Sequence, residues 1–485
     1  MTHVRPCNCV RLPRREFIGA LGAATAGLAL SSASSTRDAL AESAAASATG
    51  KSRAKVVGAF LYPPTESLKK QGYYSWPGAG FDAEGRQKQH MARIAKTAQK
   101  LGMDIAMEAK PLHENADVDR FIQRVKSEKP DGLLLIAFLK AEWSSIARIV
   151  KETSIPTVAY ATLGILLNPN INELYRTNGV YVINSLDNHD AIEYGMRMIK
   201  TRRWMRESRI VSVGAETGKE TVEGHLGTRV INLGNDQLAS ELRQTLATRD
   251  VESLARKYWS RAKKAVEPTK SDVLDAARVY FAIQRAIERN NADAFMMDCL
   301  GAIRVRRIPP PCMPFMTMRD RGIAAGCQNE LGPTMTQMLL SQLFGRPGFQ
   351  QNASSETEKN HYYGAHCTAP TKMDGLDEGS ERYVLRNHAE SGIGVAPQVL
   401  FRIGREITMA AYIPGKEPQM VLYTGKIVAR HEMPPTGGCR SNLELVIDDV
   451  KDVCDVKGMH QTIIYGNYAR QIRAFCQMYG ISVVT

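Results

Sequence analysis

Glu330 stands in the run Gly326-Cys-Gln-Asn-Glu-Leu-Gly-Pro-Thr-Met-Thr-Gln-Met-Leu-Leu340, and three histidines follow it in short polar segments. His366 lies in Gly364-Ala-His-Cys-Thr-Ala-Pro370, His388 in Asn387-His-Ala-Glu-Ser-Gly-Ile-Gly-Val395, and His460 in Gly458-Met-His-Gln-Thr-Ile-Ile-Tyr-Gly466. Gly345-Arg-Pro-Gly-Phe-Gln-Gln-Asn352 and Gly438-Cys-Arg-Ser-Asn442 belong to the same series. Carboxylates and imidazoles hold cations or move protons near neutral pH, whereas Gln and Asn amides hydrogen-bond hydroxyl groups without adding charge. A histidine alone is more often a satisfied structural residue. The grouping of all these polar residues at loop ends, before a helix and several strands, makes the set a candidate site.

Other motifs fail on their spacing. Gly214-Ala-Glu-Thr-Gly218-Lys219-Glu220 has three residues between its glycines and Glu after the lysine, where a phosphate-binding loop needs four and a Ser or Thr. No G-x-G-x-x-G opens the first helix, so the dinucleotide fingerprint is missing. His431-Glu432 lacks a second histidine one turn later. Arg197, Lys200, Arg202, Arg203, Arg206 and Arg209 read as a solvated helix end, because no aromatic ladder accompanies them.

These residues need elements to position them. Lys55 to Leu61 is an apolar strand run, and Arg86 to Leu101 has helical spacing through Met91, Ile94, Ala98 and Leu101. The alternation recurs at Asp104–Ala109, Val118–Lys129, Gly132–Phe138, Ser144–Thr153 and Pro156–Ala161, as a buried parallel sheet requires. A second round begins at Gly179–Asn184 and continues through Ile210–Val213, the helix Ser271–Arg289 and Ala294–Asp298. After a helix at Thr334–Phe344, the segments Ile407–Ile413, Gln419–Ala429 and Asn442–Ile447 read as antiparallel strands, and the chain closes with Thr462–Tyr465, Tyr468–Tyr479 and Ile481–Val484. The expected fold is α/β: domains at residues 52–178 and 179–330, then a β-rich domain at 331–485.

With 485 residues, 44% apolar and 23% charged, the chain is globular, and intrinsic disorder is excluded. The net charge of +13 raises the question of an acidic partner, but nothing beyond charge points to nucleic acid. Pro13-Arg14-Arg15-Glu16-Phe17-Ile18, followed by a weakly apolar run to Leu30 and Ala39-Leu40-Ala41, looks like a twin-arginine export signal spanning residues 1–41, with a linker at 42–51. The expected location is periplasmic. Seven of the nine cysteines lie between Cys299 and Cys476 with no C-x-x-C pair, so buried free thiols are expected.

Taken in order, the polar segments resemble the L-fucose and L-arabinose isomerase superfamily over roughly residues 295 to 485. The resemblance implies two Rossmann-like parallel-sheet domains followed by a β-rich C-terminal domain. It also implies a divalent metal, usually manganese, with Glu330, His366 and His460 as its ligands. Glu330 would be the catalytic carboxylate, and Gln328, Asn352 and His388 would bind substrate. In such isomerases a hard cation bridging the carbonyl and adjacent hydroxyl of an open-chain aldose stabilises the enediolate, while carboxylates move the proton.

Two positions depart from the family pattern. Its first acid falls at Gln328 and a later one at Gln351 or Asn352, and an amide brings neither charge nor basicity. Glu356 and Glu358 are distant substitutes. The expected function is an exported sugar isomerase-like protein of ketol isomerase ancestry, with an altered or degenerate metal site. The competing expectation is a non-catalytic periplasmic carbohydrate-binding protein. The expected partners are a small-molecule sugar or sugar acid, the twin-arginine export machinery and, from the resemblance, further copies of the chain; nucleic acid is not among them. Trp76 is a sugar-stacking platform or an aromatic core plug.

Overall fold

Val56 to Leu61 are buried without interruption, which a strand achieves only between two covering layers. This strand, β1 (Lys55–Leu61), pairs in parallel with β2 (Asp104–Met107) and β3 (Gly132–Ala137), and β4 (Thr157–Thr162) and β5 (Val180–Ser185) extend the sheet in the order β2-β1-β3-β4-β5. The helix Ala83–Leu101 packs on it through His90, Ile94, Ala98 and Leu101. Asp82 caps this helix by accepting from the Gly85 N–H at 2.8 Å, and Gly102 ends it with φ of 64°. The computed structural model describes residues 50–67, 78, 80–214, 216–305, 308–432 and 438–485; the twin-arginine segment and Trp76 lie outside them.

The second sheet contains β6 (Arg209–Gly214), β7 (Glu220–Val222), β8 (Arg229–Gly234), β9 (Ala294–Met297) and β10 (Ala324–Cys327), in the order β10-β9-β6-β8-β7. All are parallel except the edge strand β7. The expected boundary at residues 178/179 needs correction, because β5 pairs with β4 from Val180 to Ser185 and completes the first sheet. The following helix, His189–Glu207, buries Met196 and Ile199 in a core shared with Leu134 and Val158. The chain therefore enters the second sheet only after Glu207. An apolar strand run carries no mark of the sheet it will join, which is why periodicity misassigned it.

The C-terminal part contains β11 (Phe349–Gln350), β12 (Asn352–Glu356), β13 (His361–His366), β14 (Tyr383–Arg386), β15 (Ala396–Val399), β16 (Glu406–Ile413), β17 (Gln419–Ala429), β18 (Ser441–Ile447), β19 (Thr462–Tyr465) and β20 (Ser482–Val484). One large sheet runs β11-β19-β16-β17-β18-β13-β12; its pairs are antiparallel, and β20 adds in parallel to β17. β14 and β15 form a separate hairpin. The fold is thus mixed α/β, with two largely parallel sheets and a β-rich C-terminal part, as expected at that level.

The helix Leu331–Phe344 joins the sheets. Met335, Met338, Leu339 and Leu343 share a core with Met296 and Ala324 of the second sheet and with Ala410, Tyr412 and Leu422 of the third. A helix buried on nearly all sides needs apolar residues all round. It also approaches β16 closely: a Cβ at Gly332 would sit 2.6 Å from the Tyr412 carbonyl oxygen. Among the described residues, no helix is long and apolar enough to cross a membrane.

Candidate functional site

The loops after β9 and β10 leave the C-terminal edge of the second parallel sheet, where open α/β sheets form their ligand crevice. Gln328 and Asn329 follow β10 with φ of 60° and 58°. Two successive non-glycine residues in the left-handed region cost roughly 1 to 3 kcal/mol each. Tertiary bonds hold them there: the Asn329 N–H donates to the Met297 carbonyl at 2.9 Å, and Asn329 Oδ1 accepts from Ser212 Oγ at 2.9 Å. The turn sends Gln328 toward a cavity and sets Glu330 at the N-cap of the helix Leu331–Phe344. His460, with φ of 54°, is a third left-handed residue at the same place.

Glu330, His366 and His460 come together. Glu330 Oε2 lies 2.7 Å from His460 Nδ1, though out of line for a hydrogen bond, and His460 Nε2 bonds Asn352 Oδ1. The rings of His366 and His460 are 5.7 Å apart, centre to centre. His366 Nδ1 accepts from the Cys367 N–H at 3.0 Å, so the neutral ring carries its proton on Nε2, which is buried without a partner. Burial foremost, then Arg319, His460 and His388, push the His366 pKa well below the ordinary imidazole value. Burial also lowers His388; Glu390 opposes the shift and Arg440 adds to it.

Gln328, Asn352, His366 and His388 line one cavity of about 20 Å³, room for one water or an ion. Asn352, not Gln351, is the amide at this place. Gln351 points into the core, donating to Tyr362 Oη at 2.7 Å and Gln461 Oε1 at 3.1 Å. Glu356 and Glu358 sit at the turn end of the β12–β13 hairpin, opposite the end where Asn352 pairs with Ala365, and so stand away from the cavity. Five thiols and a carboxylate that sequence reasoning did not assign also line it: Cys299, Cys312, Cys327, Cys367, Cys439 and the exposed Glu390. The available signal was the confinement of seven cysteines to the stretch between Cys299 and Cys476.

This donor set does not fit manganese. His366 presents a proton rather than a lone pair, both nitrogens of His460 face protein atoms, and the buried Arg319 cation acts on His366. Among the described residues, the His, Cys, Asp and Glu group whose ligand atoms all lie within 4.8 Å of one another is His90, Asp187 and His189, on the first sheet. That group could hold a metal ion.

His366 and His388 titrate lower in the fold than in the unfolded chain, where imidazoles take up protons below about pH 6.5. The unfolded chain then binds more protons, so stability is expected to fall as pH drops from 7 to 5, by at most about 1.4 kcal/mol per pH unit for each ring. Urea unfolding at both pH values checks this. His388→Asn should make the dependence shallower, and an unchanged slope would show that the ring is not buried neutral.

Cys367 and Cys439 bring their sulfurs to 3.5 Å, and Asn352 Nδ2 donates toward Cys439 Sγ at 3.8 Å. Oxidised glutathione is expected to join them, forming one S–S bond and releasing two molecules of reduced glutathione. Closing a loop of this size removes chain entropy worth about 4 kcal/mol from the unfolded state. Peptide mapping without reductant should find the Cys367–Cys439 cross-link, and Cys439→Ser should abolish it; recovery of both cysteines as free thiols would contradict the expectation.

The basic cluster on the helix His189–Glu207 is engaged internally. Arg203 and Arg206 pair with Asp131, Arg197 with Glu193, and Arg202 donates to the carbonyls of His225 and Leu226. His431 bonds Glu444 at 2.7 Å.

No family model and no curated protein matches the chain. Among solved structures, D-threo-3-hydroxyaspartate dehydratase from Delftia sp. HT23 is similar at 11% identity, covering 91% of this chain and 90% of its own, with a TM-score of 0.13. That score is too low to relate the two folds.

Proposed function

We propose that the chain is an exported sugar isomerase-like protein whose C-terminal site binds a sugar or sugar acid through amides and imidazoles, without manganese-dependent ketol isomerisation. The observation that carries this reading is the convergence of Gln328, Asn352, His366 and His388 on one cavity from four separate segments. The amides supply uncharged donors and acceptors suited to hydroxyl groups, and His366 Nε2 supplies a buried donor. The nearby Arg319 cation favours a carboxylate on the ligand over a divalent cation. Two parallel sheets followed by a large antiparallel sheet support the fucose and arabinose isomerase-like fold.

The cavity accepts a water-sized guest, so a sugar must displace the segment 387–392, which carries His388 and Glu390. Gly392 and Gly394, with φ of 68° and 61°, supply the backbone freedom for that movement. Thermal-shift screening of aldoses and aldonic acids in EDTA tests the reading. Stabilisation by one of them, lost in Gln328→Ala and His388→Ala, is the expected result.

A second reading, retained isomerisation, is favoured by the Glu330 carboxylate, a group able to act as a base, standing beside His460. It predicts manganese-dependent formation of ketose. Export rests on Arg14-Arg15. Changing both to lysine should hold the precursor in the cytoplasm, and unaltered appearance of the processed chain in the periplasm would count against it.

A further inference from the structure

His90 lies on the buried stripe of the helix Ala83–Leu101, is 1% exposed, and has no hydrogen-bond partner at either ring nitrogen. Buried polar atoms in native proteins are normally partnered, so two unanswered nitrogens on one ring call for an explanation. The rings of Phe60, Phe138 and Tyr160 stand around it at 6.2, 5.8 and 5.5 Å between centres and fix its position without offering a lone pair in the ring plane. Two further neighbours carry metal-ligand chemistry, and the cations Arg86 and Arg93 also act on the ring. The His189 ring is 4.7 Å away, and ligand atoms of His90, Asp187 and His189 all lie within 4.8 Å of one another.

The loop that brings Asp187 there is held firmly. Asp187 has φ of 54°, its N–H donates to Tyr160 Oη at 3.1 Å, and Tyr160 Oη donates to the Ser185 carbonyl at 2.9 Å. Left-handed backbone at a non-glycine residue persists where the surroundings over-determine it, as at ligand clamps. Asp187 and His189 follow the C-terminal end of β5, the edge at which open parallel sheets take ligands.

We propose that His90, Asp187 and His189 form a binding site for one divalent transition-metal ion. Two imidazoles and one carboxylate suit zinc, cobalt or nickel; calcium and magnesium take oxygen sets instead. Three protein ligands leave a coordination position for water or a ligand oxygen. The site is separate from the Glu330 cluster and does not depend on the sugar reading. Arg86 pairs with Asp187 and competes with the ion for the carboxylate. That competition gives the site a sign that a chance cluster would lack: removing Arg86 should tighten it.

Titration of the metal-free full chain with cobalt(II), followed by visible absorption and reversed by zinc, tests the site. One equivalent should bind. The half-buried His189→Ala variant should weaken binding at least about tenfold with unchanged circular dichroism, and His90→Gln should do the same. Arg86→Gln should tighten it several-fold, and His460→Ala should leave it unchanged. Absence of cobalt binding, binding insensitive to both histidine changes, or loss of binding in His460→Ala with His189→Ala unaffected would overturn the proposal.

Discussion

Arg319→Met is expected to lower the unfolding free energy by about 3 kcal/mol. Arg319 is 1% exposed, and its guanidinium is a hub. Nε and Nη2 donate to the Ala325 carbonyl at 3.0 and 2.6 Å, Nη1 to the Thr368 carbonyl at 3.4 Å, and Nη2 to Gln350 Oε1 at 3.3 Å. These bonds tie β10 to β11 and to the segment after β13, and Nη2 also reaches Sγ of Cys327, which lines the cavity. Methionine fills the space of the stem and removes the cost of burying a charge. It also leaves the Ala325 and Thr368 carbonyls unanswered in the core, each worth about 1 to 3 kcal/mol, and that loss dominates, although Gln350 Oε1 keeps the Cys327 N–H and Gln337 Nε2. Urea unfolding measures the change, and a loss under about 1 kcal/mol would show that Arg319 is not the hub. In the folded variant the His366 pKa should rise toward the ordinary value, because a neighbouring cation is gone. Imidazole NMR titration reads that shift.

The double change Gln328→Glu and Asn352→Asp is expected to create manganese affinity where the natural chain has little. Glu330 is the sole carboxylate among the residues matched to the family ligands, and it lies against His460. Asp at 352 keeps an acceptor facing His460 Nε2 and adds a charge; Glu at 328 adds another at the cavity wall. Affinity should tighten by roughly tenfold or more per added carboxylate, with Arg319 offsetting part of the gain. Electron paramagnetic resonance of free manganese measures it directly. Unchanged affinity in a folded double variant would show that these amides do not stand where ligands belong.

Much of the fold is legible in the residues themselves. The strands Lys55–Leu61, Gln419–Ala429 and Thr462–Tyr465 match their runs residue for residue, with Pro63, Pro418 and Gly466 marking one end of each. The edge strand Glu220–Val222 is exposed at every position and carries no such pattern, so it passed unread. β5 was legible as a strand but not as a member of the first sheet, since sheet membership is decided by long-range pairing. At the site, the polar segments indicated His366, His460, Gln328 and Asn352, while their actual partners are tertiary facts. The thiols around the cavity come from five separate segments, and His90 meets Asp187 and His189 only because one helix and one loop share a sheet edge. Neither arrangement leaves a local spacing to read.

The most direct measurement of the central claim is calorimetric titration with L-fucose, L-arabinose and their aldonic acids, first in EDTA and then in manganese, with ketose assayed in each sample. Binding of at least one ligand in EDTA, unchanged by manganese and without ketose, is the predicted result. Binding that requires manganese, manganese-dependent ketose formation, or no binding by any of the four ligands would contradict it.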